Sequence, residues 1–251
     1  MAQQINRINT AGIFLRSCVV AFWVLASTVV FGLGSIMMCL FSIRAARSCA
    51  RLWSLQLLFM CDVKVKVEGL EKIKKDQRYV FVANHQSYFD IPVMYAGLFA
   101  ELSFVAKKEL FFIPFFGWGM AAIGHIWIDR KNARKARKSI TRAVSMLKRN
   151  KISLVLFPEG TRSVSGKVGE FKRASFVLAL EAGVPVVPVA ICGTREVQPK
   201  SSLKIIPGVV KLIICDPFPI VPGADLDKGH LSGMVRETIV KLVEQNMAGI
   251  T

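Results

Sequence analysis

The stretch Val80-Phe-Val-Ala-Asn-His-Gln-Ser-Tyr-Phe-Asp90 joins a buried strand to two titratable side chains. Its first residues, Val80 to Ala83, are apolar, as is typical of a strand covered on both faces of a sheet. His85 and Asp90 follow at the strand end, where α/β folds usually bind ligands. Histidine can take and return a proton near neutral pH, and a nearby carboxylate can fix its tautomer. The stretch therefore indicates an α/β fold with a candidate general base, although the two residues could instead cap a strand and a helix.

Apolar runs typical of strands alternate with helical segments along the rest of the chain. The predicted strands are Val63 to Val67, Tyr79 to Ala83, Leu102 to Ala106, Ser153 to Phe157, Val186 to Cys192 and Val209 to Cys215. The predicted helices are Asp90 to Phe99, Lys131 to Asn150, Phe171 to Ala182 and Leu231 to Met247. This alternation predicts an α/β fold with a mainly parallel central sheet flanked by helices. The aromatic segment Leu110 to Met120, interrupted by proline and glycine, is expected to be irregular.

The composition differs from that of an ordinary soluble domain. The 251 residues carry a formal charge of +17, which favours an anionic partner such as nucleic acid or acidic lipid. Because 53% of the residues are hydrophobic and no nucleic-acid motif is present, we predict a membrane partner and no nucleic acid. The six scattered cysteines and three histidines show no zinc-ligand spacing, so reduced thiols and no bound metal are expected.

The N-terminal part is predicted to anchor the protein in a membrane. No charged residue occurs from Ser17 to Ile43, a segment that as a helix would be about 40 Å long, against a hydrocarbon core of about 30 Å. A spanning or deeply inserted helix is the first prediction. In the alternative, the chain bends at Gly32 and Gly34, and Leu52 to Met60 returns along the interface. The predicted division is a helical membrane-anchoring segment, residues 1–61, and an α/β domain, residues 62–251.

Basic residues indicate the orientation of the chain in the membrane and a surface that contacts lipid. Arg7 and Arg16 precede the apolar run, and Arg44, Arg47 and Arg51 follow it. The slight excess after the run favours an inner or cytoplasmic membrane with the α/β domain facing the cytoplasm. The predicted helix Lys131 to Asn150 has an apolar stripe and many basic residues, but no acidic residue. This pattern predicts contact with anionic lipid headgroups, while an ordinary solvated helix or DNA contact remains an alternative.

Four segments share one predicted design, in which an apolar strand ends and glycine, proline and charged residues follow. They are Asn84 to Asp90, Gly124 to Arg130, Phe157 to Ser163 and Val184 to Val189. At the ends of parallel strands, such loops would meet in one crevice. Arg130 and Arg162 could bind a phosphate there through forked hydrogen bonds, and Glu159 could hold a hydroxyl or orient an arginine. In the alternative, Arg130 closes a salt bridge with Asp129. Glu159 and Arg162 could likewise pair with one another and rigidify a turn. His125 is expected to pack or to face the surface.

Together these four segments resemble the sequence blocks of the glycerolipid acyltransferase family, in the family's order. With the surrounding sheet, the resemblance covers roughly residues 60–215. It implies that His85 and Asp90 form the catalytic His-x-x-x-x-Asp motif. It also implies a set of substrate-binding residues: Lys107, Arg130, Glu159, Gly160, Thr161 and Arg162. Pro185 and Pro188 match the fourth block and are expected to be structural. Ala174 departs from the family, which commonly has glycine at this position.

Within the family, the chain looks most like the lysophosphatidic acid acyltransferases. This resemblance implies transfer of a fatty acyl group from acyl-CoA or acyl carrier protein to the sn-2 hydroxyl of lysophosphatidic acid, which gives phosphatidic acid. His85 is expected to be the general base, and Asp90 is expected to orient it. No cofactor is expected, since coenzyme A or acyl carrier protein leaves as a product. The alternatives are the same chemistry on glycerol 3-phosphate or a lyso-aminolipid, or a non-catalytic basic protein anchored in a membrane.

Overall fold

The computed structural model of the protein describes residues 10–98, 101–129, 132–149, 152–220 and 227–247. Its strands are β1 (Val63–Glu68), β2 (Val80–Ala83), β3 (Leu102–Lys107), β4 (Ile126–Ile128), β5 (Ser153–Leu156), β6 (Val186–Cys192) and β7 (Gly208–Ile214). Its helices are α1 (Thr10–Cys39), α2 (Ile43–Met60), α3 (Asp90–Gly97), α4 (Phe116–Ala122), α5 (Ala133–Arg149), α6 (Val177–Ala182), α7 (Thr194–Val197) and α8 (Lys228–Met247). The predicted alternation of strands and helices is confirmed.

The described strands form one sheet in the order β1-β7-β6-β2-β5-β3-β4. Every neighbouring pair is parallel except β6 and β7. β2, β5 and β6 lie inside the sheet and are buried along their whole length, which explains their continuously apolar sequences. β1 lies at an edge, and its alternating valines and lysines suit a half-exposed strand. The predicted mainly parallel central sheet is therefore confirmed.

Each face of the sheet supports its own apolar core, because successive side chains of a strand point to opposite sides. Phe81 and Val155 belong to one core, which also contains residues of α2 and α3. Val80 and Leu154 belong to the other core, with residues of α5, α6 and α8. Leu147 of α5 is fully buried in that second core, as its place in the apolar stripe predicts. Helices therefore cover both faces and leave the strand ends free for a site.

The N-terminal helices form an antiparallel pair. Arg16 near the start of α1 donates to the carbonyl of Cys61 just after α2, and Ser35 lies beside the carbonyl of Ala46. The alternative of a hairpin is confirmed as far as the chain direction is concerned, because the chain reverses between α1 and α2. It is wrong about the position of the bend, since α1 continues through both glycines and the chain turns only after Cys39. Burial of Leu57 of α2 in the sheet core ties the pair to the α/β domain, and the boundary at residue 61 stays a prediction.

Gly32 permits close packing between α1 and α4. A Cβ atom at Gly32 would lie 2.6 Å from the carbonyl oxygen of Phe115, and one at Gly119 would lie 3.1 Å from the Cα of Gly32. Such distances leave no room for a side chain on either helix. The segment Leu110 to Met120 was predicted to be irregular, but the structure has a 3₁₀ turn and α4 there. The packing of α4 against α1 accounts for this difference.

One of the described helices is long and apolar enough to cross a membrane. This segment, Leu15–Cys39, has a mean hydropathy of 2.1, and only 22% of its most apolar window is buried. Large apolar side chains also remain exposed next to it on α4 and on the turn before it: Phe112, Ile113 and Trp118. Exposed apolar patches of this kind mark interaction surfaces for protein or membrane. Whether α1 spans a bilayer or dips into one leaflet stays a prediction.

Two other predicted segments differ from the structure. The helix expected from Phe171 is shorter, because a 3₁₀ turn at Arg173–Ser175 precedes α6. Ala174 lies exposed in this turn, so its departure from the family pattern meets no packing constraint. The fourth block, Val184 to Val189, leads into β6 instead of following a strand. It therefore does not belong to the crevice at the strand ends.

The prolines of the fourth block are part of the sheet. The carbonyl of Pro185 accepts the N–H of Val80, and the carbonyl of Pro188 accepts the N–H of Cys215. Pro188 is paired with Val82 in the register of β2 and β6. The expectation that these prolines are structural agrees with their positions.

Candidate active site

The candidate site lies where five parallel strands end at one edge of the sheet. β2, β3, β4, β5 and β6 run in the same direction. His85 follows β2, Glu159 follows β5 and Thr194 follows β6. Carboxyl ends of parallel strands form a crevice where α/β proteins bind ligands. The predicted meeting of the first and third blocks at one edge is confirmed.

His85 and Asp90 form a hydrogen-bonded pair. Nδ1 of His85 lies 2.7 Å from Oδ2 of Asp90. The Asp90 side chain is 0% exposed, whereas 19% of the His85 side chain remains exposed. Because a carboxylate accepts at Nδ1, that nitrogen carries the proton, and Nε2 is the ring atom that can accept one from a substrate. The His85 ring also stacks on Phe157, with 4.3 Å between ring centroids, which limits its rotation.

Asp90 is held by a complete set of hydrogen bonds. Oδ2 also accepts the backbone N–H groups of Gln86 and Ser87, at 2.7 and 2.9 Å. Oδ1 accepts the hydroxyl of Thr194 at 2.6 Å. A buried carboxylate requires such donors to offset its loss of hydration. Asp90 therefore orients His85 and does not act as the side-chain cap of α3, for which no cap hydrogen bond forms.

Sequence reasoning missed Thr194. Its only signal is the recurrence of Gly-Thr-Arg at residues 160–162 and 193–195, each just past a predicted strand. The structure places both copies at the same edge, and both glycines have left-handed backbone angles, with φ of 72° and 95°. Glycine tolerates such angles without the strain that a Cβ atom would cause. The two copies thus share a left-handed glycine past the ends of β5 and β6, while only the second copy begins a helix, α7.

Glu159 ties two loops together. Its Oε1 accepts the N–H of His85 at 2.7 Å, and its Oε2 accepts the N–H of Gly169 at 2.9 Å. Burial raises the pKa of Glu159, while these two backbone hydrogen bonds act in the opposite direction. The alternative in which Glu159 pairs with Arg162 is wrong, since its oxygens face these amides and no ion pair joins the two described residues. The role of Glu159 in substrate binding stays a prediction.

Replacing Glu159 with glutamine should weaken both the fold and the site. Glutamine has one acceptor oxygen, so its NH₂ group would face one of the two backbone N–H groups. Leaving a buried donor unpaired costs about 1–3 kcal/mol. We expect urea denaturation to show a free energy of unfolding lower by about that amount, with reduced turnover.

Glu170→Gln is the matched control, because that neighbouring side chain is 89% exposed. Wild-type stability in Glu159→Gln would contradict the tethering role. The same loss of stability in Glu170→Gln would show that the effect is not specific to the buried carboxylate.

The loop that carries Arg162 is bound to the backbone of His85. The Arg162 guanidinium carbon is 3.6 Å from the centroid of the Tyr88 ring, and the next residue, Ser163, donates its N–H to the carbonyl of His85. The hydroxyl of Thr161 is exposed and accepts from Lys200. The third block is therefore placed next to the first, as predicted. A guanidinium flat on an aromatic ring keeps its edge N–H groups available for an anion.

Two further predicted residues are Lys107 and Arg130. Lys107 is exposed at the end of β3. Its neighbour Lys108 pairs with the buried carboxylate of Asp129, 2.7 Å away, and this hydrogen bond raises the pKa of Lys108. Arg130 lies outside the described residues, so both phosphate binding and pairing with Asp129 stay predictions. The phosphate role of Lys107 is likewise a prediction.

His125 packs inside the protein, in agreement with the expectation that it is not catalytic. Its Nε2 lies 3.0 Å from the hydroxyl of Tyr95, and its Nδ1 accepts the N–H of Phe104. Burial lowers the pKa of His125 to about 3, with a smaller contribution from the charge of Arg47. The ring is therefore neutral at physiological pH and lies away from the strand-end crevice.

The arrangement suits proton abstraction from a hydroxyl near an anionic group. A neutral histidine supported by a buried aspartate is a competent general base. The adjacent arginine can hold an anion through charge-assisted hydrogen bonds. No group of three or more potential metal ligands occurs among the described residues, and the absence of a metal requirement stays a prediction.

Comparison with known proteins agrees with this geometry. The Acyltransferase family profile matches residues 64–192, about half of the chain, and this range contains His85, Asp90, Glu159 and Arg162. A chloroplastic 1-acyl-sn-glycerol-3-phosphate acyltransferase of Arabidopsis thaliana is 36% identical over 67% of this chain and 47% of its own length. A Pseudomonas aeruginosa protein of the same name is 34% identical over 62% of this chain and 59% of its own length. This chain spans about half the length of the first curated relatives that it matches.

A solved structure extends the similarity to the N-terminal helices. The crystal structure of the 1-acyl-sn-glycerophosphate acyltransferase PlsC from Thermotoga maritima superimposes with a TM-score of 0.82 at 30% identity. The match covers 94% of this chain and 96% of that one. Since the family profile matches half of the chain and a solved acyltransferase structure is 30% identical over 96% of its own length, the chain belongs to the Acyltransferase family.

Proposed function

We propose that this protein is a membrane-bound 1-acyl-sn-glycerol-3-phosphate acyltransferase. It transfers a fatty acyl group from acyl-CoA or acyl carrier protein to the sn-2 hydroxyl of lysophosphatidic acid, producing phosphatidic acid for phospholipid biosynthesis. The observation that carries the proposal is the His85–Asp90 hydrogen bond, with the loop of Arg162 bound to the His85 carbonyl through the N–H of Ser163. The names of the relatives from Arabidopsis thaliana and Pseudomonas aeruginosa, and of the Thermotoga maritima structure, support the acceptor.

The proposed reaction uses His85 as acid and base in turn. Nε2 removes the proton from the sn-2 hydroxyl, and the oxygen attacks the thioester carbonyl carbon of the donor. The C–S bond then breaks, and His85 returns the proton to the leaving thiolate. Asp90 stabilises the imidazolium that exists between these proton transfers. No cofactor takes part, because coenzyme A or acyl carrier protein leaves as the second product.

The burial and hydrogen bonding of two nearby hydroxyl groups support direct transfer without an acyl-enzyme intermediate. Ser87 is fully buried and donates its hydroxyl to the carbonyl of Gln198. Thr194 is also fully buried and donates to Asp90. A nucleophilic hydroxyl needs an adjacent base and access to the substrate, and neither residue has both. His85 therefore acts on the hydroxyl of the substrate.

The proposed phosphate site is formed by the loop after β5. Arg162 presents a planar fork that matches phosphate oxygens. Gly160 and Thr161 shape the turn that positions it. Lys107 at the end of β3 would add positive charge, as would Arg130, whose phosphate role is carried over from the family resemblance. Glu159 supports this site by holding the two loops in place.

The proposed membrane association rests on two separate surfaces. The exposed apolar side chains of α1, with Phe112 and Trp118 beside it, would be buried in an inner or cytoplasmic membrane, with the catalytic domain facing the cytoplasm. The basic helix α5 would contact anionic lipid headgroups. Its residues Lys135, Lys138 and Arg142 surround a cleft of about 160 Å³ next to Trp127.

An acceptor and donor assay tests the proposed function. Purified protein in detergent is offered acyl-CoA or acyl carrier protein donors with matched acceptors: lysophosphatidic acid, glycerol 3-phosphate and a lyso-aminolipid. Phosphatidic acid should form from lysophosphatidic acid at the highest kcat/KM. A higher kcat/KM with another acceptor would show that this acceptor, and not lysophosphatidic acid, is the substrate. No acylation of any acceptor would refute the acyltransferase activity.

Charge reversal on α5 tests the lipid contact. The full chain, diluted from detergent into a mixture of neutral and anionic vesicles, should distribute towards the anionic ones at low salt. Each Lys or Arg near such a surface contributes about 1 kcal/mol, and salt screens this attraction. Lys138→Glu should therefore reduce the anionic preference several-fold, while total membrane binding persists because burial of apolar surface is not screened.

Lys241→Glu on α8 is the matched control, with the same charge change at another exposed lysine. An equal loss of preference in both variants would mean that overall charge, and not α5, determines the lipid contact. An unchanged distribution of Lys138→Glu would likewise contradict the role of α5.

A further inference from the structure

Lys200 lies against the loop that carries Arg162, although it is distant in sequence. Its Nζ donates to the carbonyl of Arg162 at 2.8 Å and to the hydroxyl of Thr161 at 3.2 Å. The side chain is only partly exposed. Neither sequence pattern nor family block draws attention to this residue, which comes after α7 in the segment that follows β6. The tertiary structure alone places it beside the third block.

The charge of Lys200 has no acidic partner among the described residues. Both of its acceptors are neutral oxygens, and an ammonium has three N–H donors, so one donor remains for another acceptor. Arg162 also forms no ion pair with a described carboxylate and rests on the ring of Tyr88. Lys200 is bound to the backbone of the loop that carries Arg162, and the summed positive potential of the two side chains favours binding of an anion. A phosphate monoester carries up to about two negative charges at neutral pH and fits this requirement.

The two cations are held in place relative to the base. Ser163 donates its N–H to the carbonyl of His85, which links the Arg162 loop to the base. Ser87 donates its hydroxyl to the carbonyl of Gln198, which links the segment of Lys200 to the His85–Asp90 loop. Both links are short hydrogen bonds of 2.8 Å. An anion bound by the two cations would therefore lie at a defined distance from Nε2 of His85, as positioning for catalysis requires.

We propose that Lys200 is a further phosphate-binding residue, which with Arg162 binds the phosphate of lysophosphatidic acid. The inference rests on the proposed function and deepens it. Lys200 uses two N–H groups to hold the loop of Arg162 and the third to contact a phosphate oxygen. Arg162 contributes the planar fork, and Tyr88 keeps that fork in orientation. Lys200 thereby contributes to the preference for an acceptor with a phosphate over one without it.

The test compares two acceptors in Lys200→Gln. Glutamine can still donate to the two neutral oxygens but has no charge. Loss of a hydrogen bond to a charged group should raise the KM for lysophosphatidic acid about 10- to 100-fold. Turnover of monoacylglycerol, which lacks the phosphate, should change little. Lys200→Arg should restore most of the affinity, and Arg162→Ala should show the same selective loss.

Lys204→Gln is the matched control, because this exposed lysine lies in the same segment and its side chain makes no ion pair with a described residue. If turnover of monoacylglycerol is too slow to measure, the competitive inhibition constants of glycerol 3-phosphate and monoacylglycerol are compared instead. The constant of glycerol 3-phosphate should rise in Lys200→Gln and recover in Lys200→Arg, while that of monoacylglycerol should change little.

Four outcomes would overturn the inference. An unchanged KM for lysophosphatidic acid in Lys200→Gln would show that Lys200 does not bind the phosphate. An equal loss with both acceptors would show that Lys200 supports the site as a whole, and an unchanged KM on adding Lys200→Gln to Arg162→Ala would show that Lys200 only holds the Arg162 loop. The same rise in Lys204→Gln would indicate general electrostatic attraction. Failure of the proposed function is distinguishable, because it would appear as no turnover of lysophosphatidic acid by the wild-type protein.

Discussion

His85→Ala should lower kcat for acyl transfer by about 100- to 10,000-fold, the usual effect of losing a general acid–base group. Nε2 of His85 is the ring nitrogen left for the substrate, because Nδ1 is bound to Asp90. Without it, the hydroxyl must attack the thioester in its protonated form. The measurement is the initial rate of phosphatidic acid formation at saturating lysophosphatidic acid, on protein whose circular dichroism spectrum matches that of the wild type.

His230→Ala is the matched control, since His230 is exposed near the start of α8 and far along the chain from the site. Its rate should equal that of the wild type. Comparable rates for folded His85→Ala and wild-type protein would refute the catalytic role of His85. A KM effect without a change in kcat would instead assign His85 to acceptor binding.

Asp90→Asn should reduce kcat by on the order of 10⁴-fold, as loss of the aspartate does in other His–Asp systems. The asparagine oxygen can take the place of Oδ2 and accept from His85, Gln86 and Ser87. Its NH₂ group then faces the hydroxyl of Thr194, which can rotate to accept. The geometry is therefore largely kept, while the negative charge that stabilises the imidazolium is lost.

Because Asp90→Asn keeps the geometry and removes the negative charge, it tests whether the charge of Asp90 is needed. Thermal unfolding should show a folded protein, and the loss should appear in kcat. Asp216→Asn is the matched control, since its side chain is 83% exposed and pairs only with Lys72 at the surface. Activity within tenfold of wild type in folded Asp90→Asn would show that the carboxylate charge is not needed for the proton transfer.

Local patterns in the sequence were enough to predict the sheet. β2, β5 and β6 are buried on both faces, so their apolar runs contain no alternation. The hydrogen-bonded His–Asp pair could also be predicted, because His85 and Asp90 lie close together in one loop. The predicted helix starts and the predicted conformation of the segment around α4 were less accurate. Their conformation depends on packing, such as the contact of Gly32 with Phe115, that no local pattern reports.

The partners of the site residues could not be predicted in the same way. Thr194 reaches Asp90 and Lys200 reaches Arg162 only because β6 lies next to β2, and β5 follows on the other side. The sequence pattern singled out Glu159 as a site residue, but it did not predict the hydrogen bonds of Glu159 to the backbone N–H groups of His85 and Gly169. A backbone N–H is available at nearly every residue, so sequence alone cannot tell which one a carboxylate will accept.

The sequence by itself determined the α/β class, the apolar N-terminal helix, the basic surface and the identity of the His–Asp pair. These depend on residue type and on spacing within a few residues, which set local conformation and charge. Only the tertiary structure decided the antiparallel α1–α2 pair, the hydrogen bonds that hold Asp90 and Glu159, and the position of Lys200 next to Arg162. Those contacts join residues far apart in the chain, and strand order, which arises from packing both faces of the sheet, brings them together.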